Sequence, residues 1–187
     1  MILYINACVR ENSRTKRLAD RLMSKFDDEI REVRLEEITF PTVDNAFLEK
    51  RDALIAERRF SDPVFDFARE FAAADEIVIA APFWDLSFPA SLKQYFEQIN
   101  VTGITFVYSE NGIPRGLCRA KKLWYVTTAG GQIFSEEYGY GYVKALAGGF
   151  YGIKDTVMIK AEGLDITGAD TEGIISATER QIDGINV

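Results

Sequence analysis

The chain has 187 residues, 22 basic against 29 acidic side chains for a net charge of −7, and no histidine at all. That length supports one domain with a full core and not two, while the acidic balance argues against nucleic acid or anionic lipid as the main partner. Lack of histidine removes Ser-His and Cys-His catalysis and most zinc chemistry, so no metal site is expected.

Strand and helix signals alternate along the chain. Ile2–Asn6 is apolar enough for a first strand. It begins at once, with no basic region or cleavage site ahead of it, and no apolar run nears the roughly 20 residues of a membrane span; a cytoplasmic location is expected. Thr15–Phe26 follows as a helix with Leu18, Leu22 and Phe26 on one face. Ile30–Leu35 is a second strand, and Thr39–Asp62 a long charged excursion, partly helical around Ala46–Arg58. Asp62 caps a helix that opens at Pro63 and runs through Phe71.

The third strand, Ile77–Ala81, is a continuous apolar run, the pattern of a strand buried on both faces. It stops at Pro82, which has no N–H for a ladder. An aromatic loop follows, and Pro89 opens another helix, Ala90–Glu97. Ile104–Tyr108 and Gly112–Leu117 predict a small hairpin around Glu110-Asn111-Gly112. Lys122–Thr128 and Thr156–Ala161 are the fourth and fifth strands, separated by a helix over Tyr142–Phe150, and Asp170–Asp183 closes the chain as a helix. Five strands with interposed helices predict a single three-layer α/β/α sandwich around a parallel sheet, most simply in the flavodoxin-like order 2-1-3-4-5.

In such a sheet the loops after strands one, three and four meet at one edge, where open α/β folds bind ligands. The first loop, Cys8 to Thr15, runs straight into a helix. Ser13 and Thr15 offer hydroxyls, the helix start offers unpaired N–H groups, and Arg10 and Arg14 add charge for an anion. The second carries Phe83, Trp84, Asp85 and Leu86, suited to a flat aromatic cofactor. The third, Thr127-Thr128-Ala129-Gly130-Gly131-Gln132, has paired glycines that let backbone approach a ligand.

Two stretches carry a family resemblance across nearly the whole chain. One is Ala81-Pro82-Phe83-Trp84-Asp85-Leu86-Ser87-Phe88-Pro89-Ala90-Ser91-Leu92-Lys93-Gln94-Tyr95-Phe96. The other is Gly103-Ile104-Thr105-Phe106-Val107-Tyr108-Ser109-Glu110-Asn111-Gly112, followed by Gly116-Leu117 and Lys121-Lys122. In both, the chain resembles the flavodoxin-like NAD(P)H:quinone oxidoreductases and FMN-dependent NADH-azoreductases. The resemblance implies tightly bound FMN, with Ser13, Arg14 and Thr15 on its phosphate. It places Pro82, Phe83, Trp84, Asp85 and Leu86 along the isoalloxazine, and Thr128, Ala129, Gly130 and Gly131 on its pyrimidine side. It further implies a homodimer, with the Phe106–Tyr108 strand near the flavin of the second subunit. NAD(P)H would serve as co-substrate and a quinone, azo compound or similar small molecule as acceptor, in ping-pong order. Tyr108 and Phe150 are candidate aromatic walls of the substrate site, with a core role equally open to Phe150. The chain departs from the azoreductases in having Asp85 where Asn is frequent, and in being shorter after Gly131.

Two other readings belong beside this one. Cys8 to Arg14 and then Thr15 spells C-x5-R-[ST], the phosphate loop of low-molecular-weight tyrosine phosphatases, with Cys8 as the nucleophile. The loop lacks the glycine that a tight phosphate cradle needs, and its only Asp-Pro, Asp62-Pro63, lies far from where that family keeps its general acid. Alternatively the protein is a flavin-binding electron carrier or sensor with no turnover of its own. The two cysteines, Cys8 and Cys118, are too far apart in sequence for a metal or redox pair.

Overall fold

The computed structural model describes residues 1–187. Five parallel strands make one sheet: β1 (Ile2–Asn6), β2 (Ile30–Arg34), β3 (Glu76–Ala80), β6 (Lys122–Thr128) and β7 (Asp155–Ala161), in the order β2-β1-β3-β6-β7. This is the predicted flavodoxin-like order, the labels differing only because a two-stranded antiparallel hairpin, β4 (Phe106–Tyr108) and β5 (Pro114–Gly116), intervenes. The central strands are apolar on both faces because helices cover both. Ile77, Val78, Ile79 and Ala80 of β3 are all fully buried.

Helices α1 (Arg14–Met23) and α6 (Thr171–Asp183) pack on one face, over Tyr4, Val78, Trp124 and Ile159. The other face carries the larger core, into which α3 (Asp66–Ala73), α4 (Ala90–Ile99) and α5 (Tyr140–Leu146) send Phe71, Tyr95, Phe96 and Val143. The charged excursion forms α2 (Asn45–Ala56), which buries only Leu54.

Boundaries differ from the sequence reading where local chemistry intervenes. The helix expected from Pro63 begins as a 3₁₀ turn, Pro63–Phe65, with the Asp62 carboxylate accepting from Val64 N–H at 3.0 Å, before α3 starts at Asp66. The expected Tyr142–Phe150 helix is α5 widening into a π turn, Ala147–Tyr151, that ends at Gly152 with φ +79°. That turn is the floor of the hairpin. A Cβ on Gly116 would fall 2.1 Å from the Tyr151 carbonyl carbon, so only glycine permits the approach. No helix is long and apolar enough to cross a membrane.

Candidate active site

The carboxyl ends of β1, β3, β6 and β7 open on a cleft of about 380 Å³, within the range of small-molecule sites. The phosphate-type loop after β1 supplies Arg10, Ser13, Arg14 and Thr15, and the aromatic loop after β3 supplies Pro82, Phe83 and Trp84. The loop after β6 supplies Thr128, Ala129 and Gly130. All three sequence-predicted loops therefore meet. Asp85, Leu86 and Gly131 adjoin the lining residues in the chain without lining the cleft themselves.

At the first loop, Ser13 is the N-cap of α1. Its Oγ accepts from Lys16 N–H at 3.2 Å, leaving the Arg14 and Thr15 N–H groups with no hydrogen bond inside the chain. These free donors and the helix dipole favour an anion. Thr15 is fully buried, and its hydroxyl lies 2.6 Å from the Thr128 hydroxyl, tying the α1 start to the end of β6. Two hydroxyls hold two hydrogens and one bond uses one, so this pair still has an O–H to donate.

The aromatic loop is a two-residue hairpin turn. Trp84 N–H donates to Ser87 O at 3.1 Å and Ser87 N–H to Trp84 O at 2.7 Å. Between them Asp85 and Leu86 both take positive φ, +50° and +69°, the geometry of a type I′ turn. Trp84 is left 38% exposed, and the Asp85 and Leu86 N–H groups have no partner in the chain. Ser87 Oγ donates to Tyr138 O at 2.6 Å, fastening the turn to the segment that leads into α5.

Sequence reasoning missed the fourth wall. Leu164 and Asp165, after β7, line the cleft beside Val9 and Asn12. They are held there by backbone bonds between the loops that follow β6 and β7: Gly163 N–H donates to Gly131 O, Leu164 N–H to Ala129 O and Asp165 N–H to Gly130 O. Arg14 Nη1 then donates to Asp165 Oδ1 at 2.8 Å. The available signal was Leu164, an apolar residue in a polar stretch just past a strand, and it is buried.

Tyr108 and Phe150 lie outside the cleft lining. Tyr108 is exposed on β4, and Phe150 packs edge-on against Phe106 at 4.6 Å between ring centroids. The phosphatase reading finds no support at Cys8. Its side chain is 4% exposed, its Sγ lies against Ala80 O at 3.8 Å, and burial pushes the thiol up to about 11. A thiolate nucleophile needs the opposite shift.

The family description "Flavodoxin-like fold" matches residues 1–184. An FMN-dependent NADH:quinone oxidoreductase of Lachnoclostridium phytofermentans is 36% identical over 180 residues, covering 91% of this chain and 90% of that protein. A second such enzyme, of Clostridium acetobutylicum, is 49% identical over 121 residues, 62% of this chain and 59% of that protein. Among solved structures, an azoreductase from Bacillus anthracis superposes with a TM-score of 0.84 at 24% identity, over 97% of this chain and 95% of that one. That likeness bears on the fold. The chain belongs to the flavodoxin-like fold family, and the FMN-dependent NADH:quinone oxidoreductases are among its relatives.

Proposed function

We propose that this protein is an FMN-dependent oxidoreductase that moves hydride from NAD(P)H to a quinone, azo or similar acceptor. The observation that carries the reading is a single cleft onto which two loops bring unpaired backbone donors, at Arg14, Thr15 and Gly130, and a third loop the half-exposed Trp84. Relatives that cover most of the chain are named FMN-dependent NADH:quinone oxidoreductases, which supports the same reading.

The donor set suits FMN. The α1 start, Ser13, Arg10 and Arg14 would hold its phosphate, Trp84 and Phe83 would stack on its ring, and the Gly130 N–H would meet the ring edge. Bound there, FMN supplies the hydride chemistry itself. The chain's part is to position and to tune charge. The backbone donor at Gly130 would favour negative charge on the ring edge it meets, and no side-chain base is needed, which fits a chain without histidine. The chain has no Gly-x-Gly-x-x-Gly fingerprint of a separate dinucleotide site, so nicotinamide and acceptor use one site in turn, with ping-pong kinetics.

The reading includes a homodimer and a cytoplasmic location, where reduced nicotinamide is supplied. Exposed Tyr108, Ile113 and Leu117 on the hairpin support the first, and sedimentation would test it. The function is tested by loading the protein with FMN, removing the excess and recording the visible spectrum. Retained flavin that bleaches anaerobically with NADH or NADPH is expected. Retained flavin that resists both nucleotides would instead indicate a carrier or sensor, and no retention would overturn the reading.

A further inference from the structure

We propose that Asp165 is a built-in competitor for Arg14, a counter-ion that lowers the site's affinity for a phosphorylated flavin more than for the same flavin without its phosphate. The inference rests on the FMN reading above. Arg14 Nη1 donates to Asp165 Oδ1 at 2.8 Å, with the two side chains 44% and 67% exposed. A pair so exposed is weak, so a phosphate dianion can take Arg14 from it.

The Asp165 backbone stays at the cleft when Arg14 turns away. Its N–H is bonded to Gly130 O at 2.9 Å, and its carboxylate lies beside Gly130. Once Arg14 turns to a phosphate, the carboxylate stays on the cleft wall as an unpaired like charge. Both effects oppose phosphate binding: a partner must be displaced, and a repulsion is left behind.

The other cations nearby do not cancel this. Lys16 is paired with Asp20, and Arg17 with Glu172 and Glu179, which leaves Arg10 as the one cleft cation without an ion pair. Riboflavin has the ring and ribityl chain but no phosphate, so it lacks the group that competes for Arg14, and Asp165, which also lies beside Gly130, should affect its binding less than that of FMN.

The test is a flavin-fluorescence titration of the wild type, Asp165→Asn and Asp165→Ala with FMN and with riboflavin, at low and high salt. Both variants are expected to bind FMN roughly three- to tenfold more tightly, with riboflavin within about twofold, and the FMN gain should shrink at high salt. FMN affinity that is unchanged, or that weakens together with riboflavin, would overturn the competitor role and make Asp165 a structural or hydroxyl-binding residue. A wild type that binds no FMN would overturn the functional reading, and this inference with it. Wild-type binding with unmoved variants overturns this inference alone.

Discussion

The Thr15–Thr128 hydroxyl pair ties the phosphate-type loop to the end of β6, and it can be measured. The two oxygens are 2.6 Å apart, with Thr15 fully buried and Thr128 nearly so. Thr15→Val keeps the shape and removes one partner, stranding the other hydroxyl away from water. That costs about 1–3 kcal/mol, whereas replacing both partners by apolar groups of the same shape is close to neutral. The single variants Thr15→Val and Thr128→Val should each lose about 1–2 kcal/mol, and Thr15→Val/Thr128→Val no more than either alone.

Urea unfolding followed by circular dichroism is the assay. With a slope of about 2 kcal/mol/M, each single variant should shift the midpoint down by about 0.5–1 M. Flavin titration adds a second readout. The double variant has lost the pair's spare O–H donor, so its FMN affinity should fall about fivefold, one hydrogen bond's worth, while its stability is largely retained. Strictly additive losses in the double variant would refute the bond. A double variant that is stable and binds FMN as the wild type does would refute its role in the site.

Two further outcomes follow from the packing around the site. Arg17 donates to Glu172 and Glu179, and Arg21 to Asp183, clasping α1 to α6; those hydrogen bonds hold the Glu172 and Asp183 carboxyls below their ordinary values. A depressed folded-state pKa gives stability that is present at neutral pH and lost as pH falls through the folded value. Thermal melts of Arg17→Ala/Arg21→Ala should therefore lie below the wild type at pH 7 and converge with it by about pH 2. Gly116→Ala should destabilise by about 3 kcal/mol or more in chemical denaturation, since its Cβ meets backbone of Tyr151 and Gly152 at 2.1–2.3 Å and backbone cannot give way as a side chain does.

What the sequence made legible was the sheet and the three loops at its edge. Ile77–Ala81 could be read because a strand covered on both faces must be apolar throughout, and Ser13 because a hydroxyl before a periodic helix is a cap. Thr15 was read as a phosphate ligand, and the structure gives its hydroxyl a partner within the protein, Thr128. No spacing rule pairs residues 113 apart in sequence. Asp165 was missed for a similar reason. Its place depends on three backbone bonds between the loops after β6 and β7, which are non-local and not announced by local residue type. The π turn at Ala147–Tyr151 was read as plain helix because local residue type does not distinguish the two, while the close approach of Gly116 to its end is a contact distant in sequence.

The aromatic turn was the least legible element, and its illegibility is informative. A type I′ turn is announced in sequence by Asn-Gly or Asp-Gly, because both central residues need positive φ. Here the pair is Asp85-Leu86, and leucine in the left-handed region costs about 1–2 kcal/mol. Such a conformation persists only when its surroundings enforce it. Four bonds do so: two between Trp84 and Ser87, one from Ser87 Oγ to Tyr138 O, and one from Phe83 N–H to Thr128 O. The last of these runs to the residue whose side chain holds Thr15, so the strained turn, the phosphate-type loop and the end of β6 converge on Thr128. Strain at the tip is thus carried by the same contacts that fix the two ends of the cleft relative to each other. What the strain secures is a half-exposed indole, Trp84, held on the cleft before any ligand arrives, which on the flavin reading proposed above would lower the ordering cost of binding a flat ring.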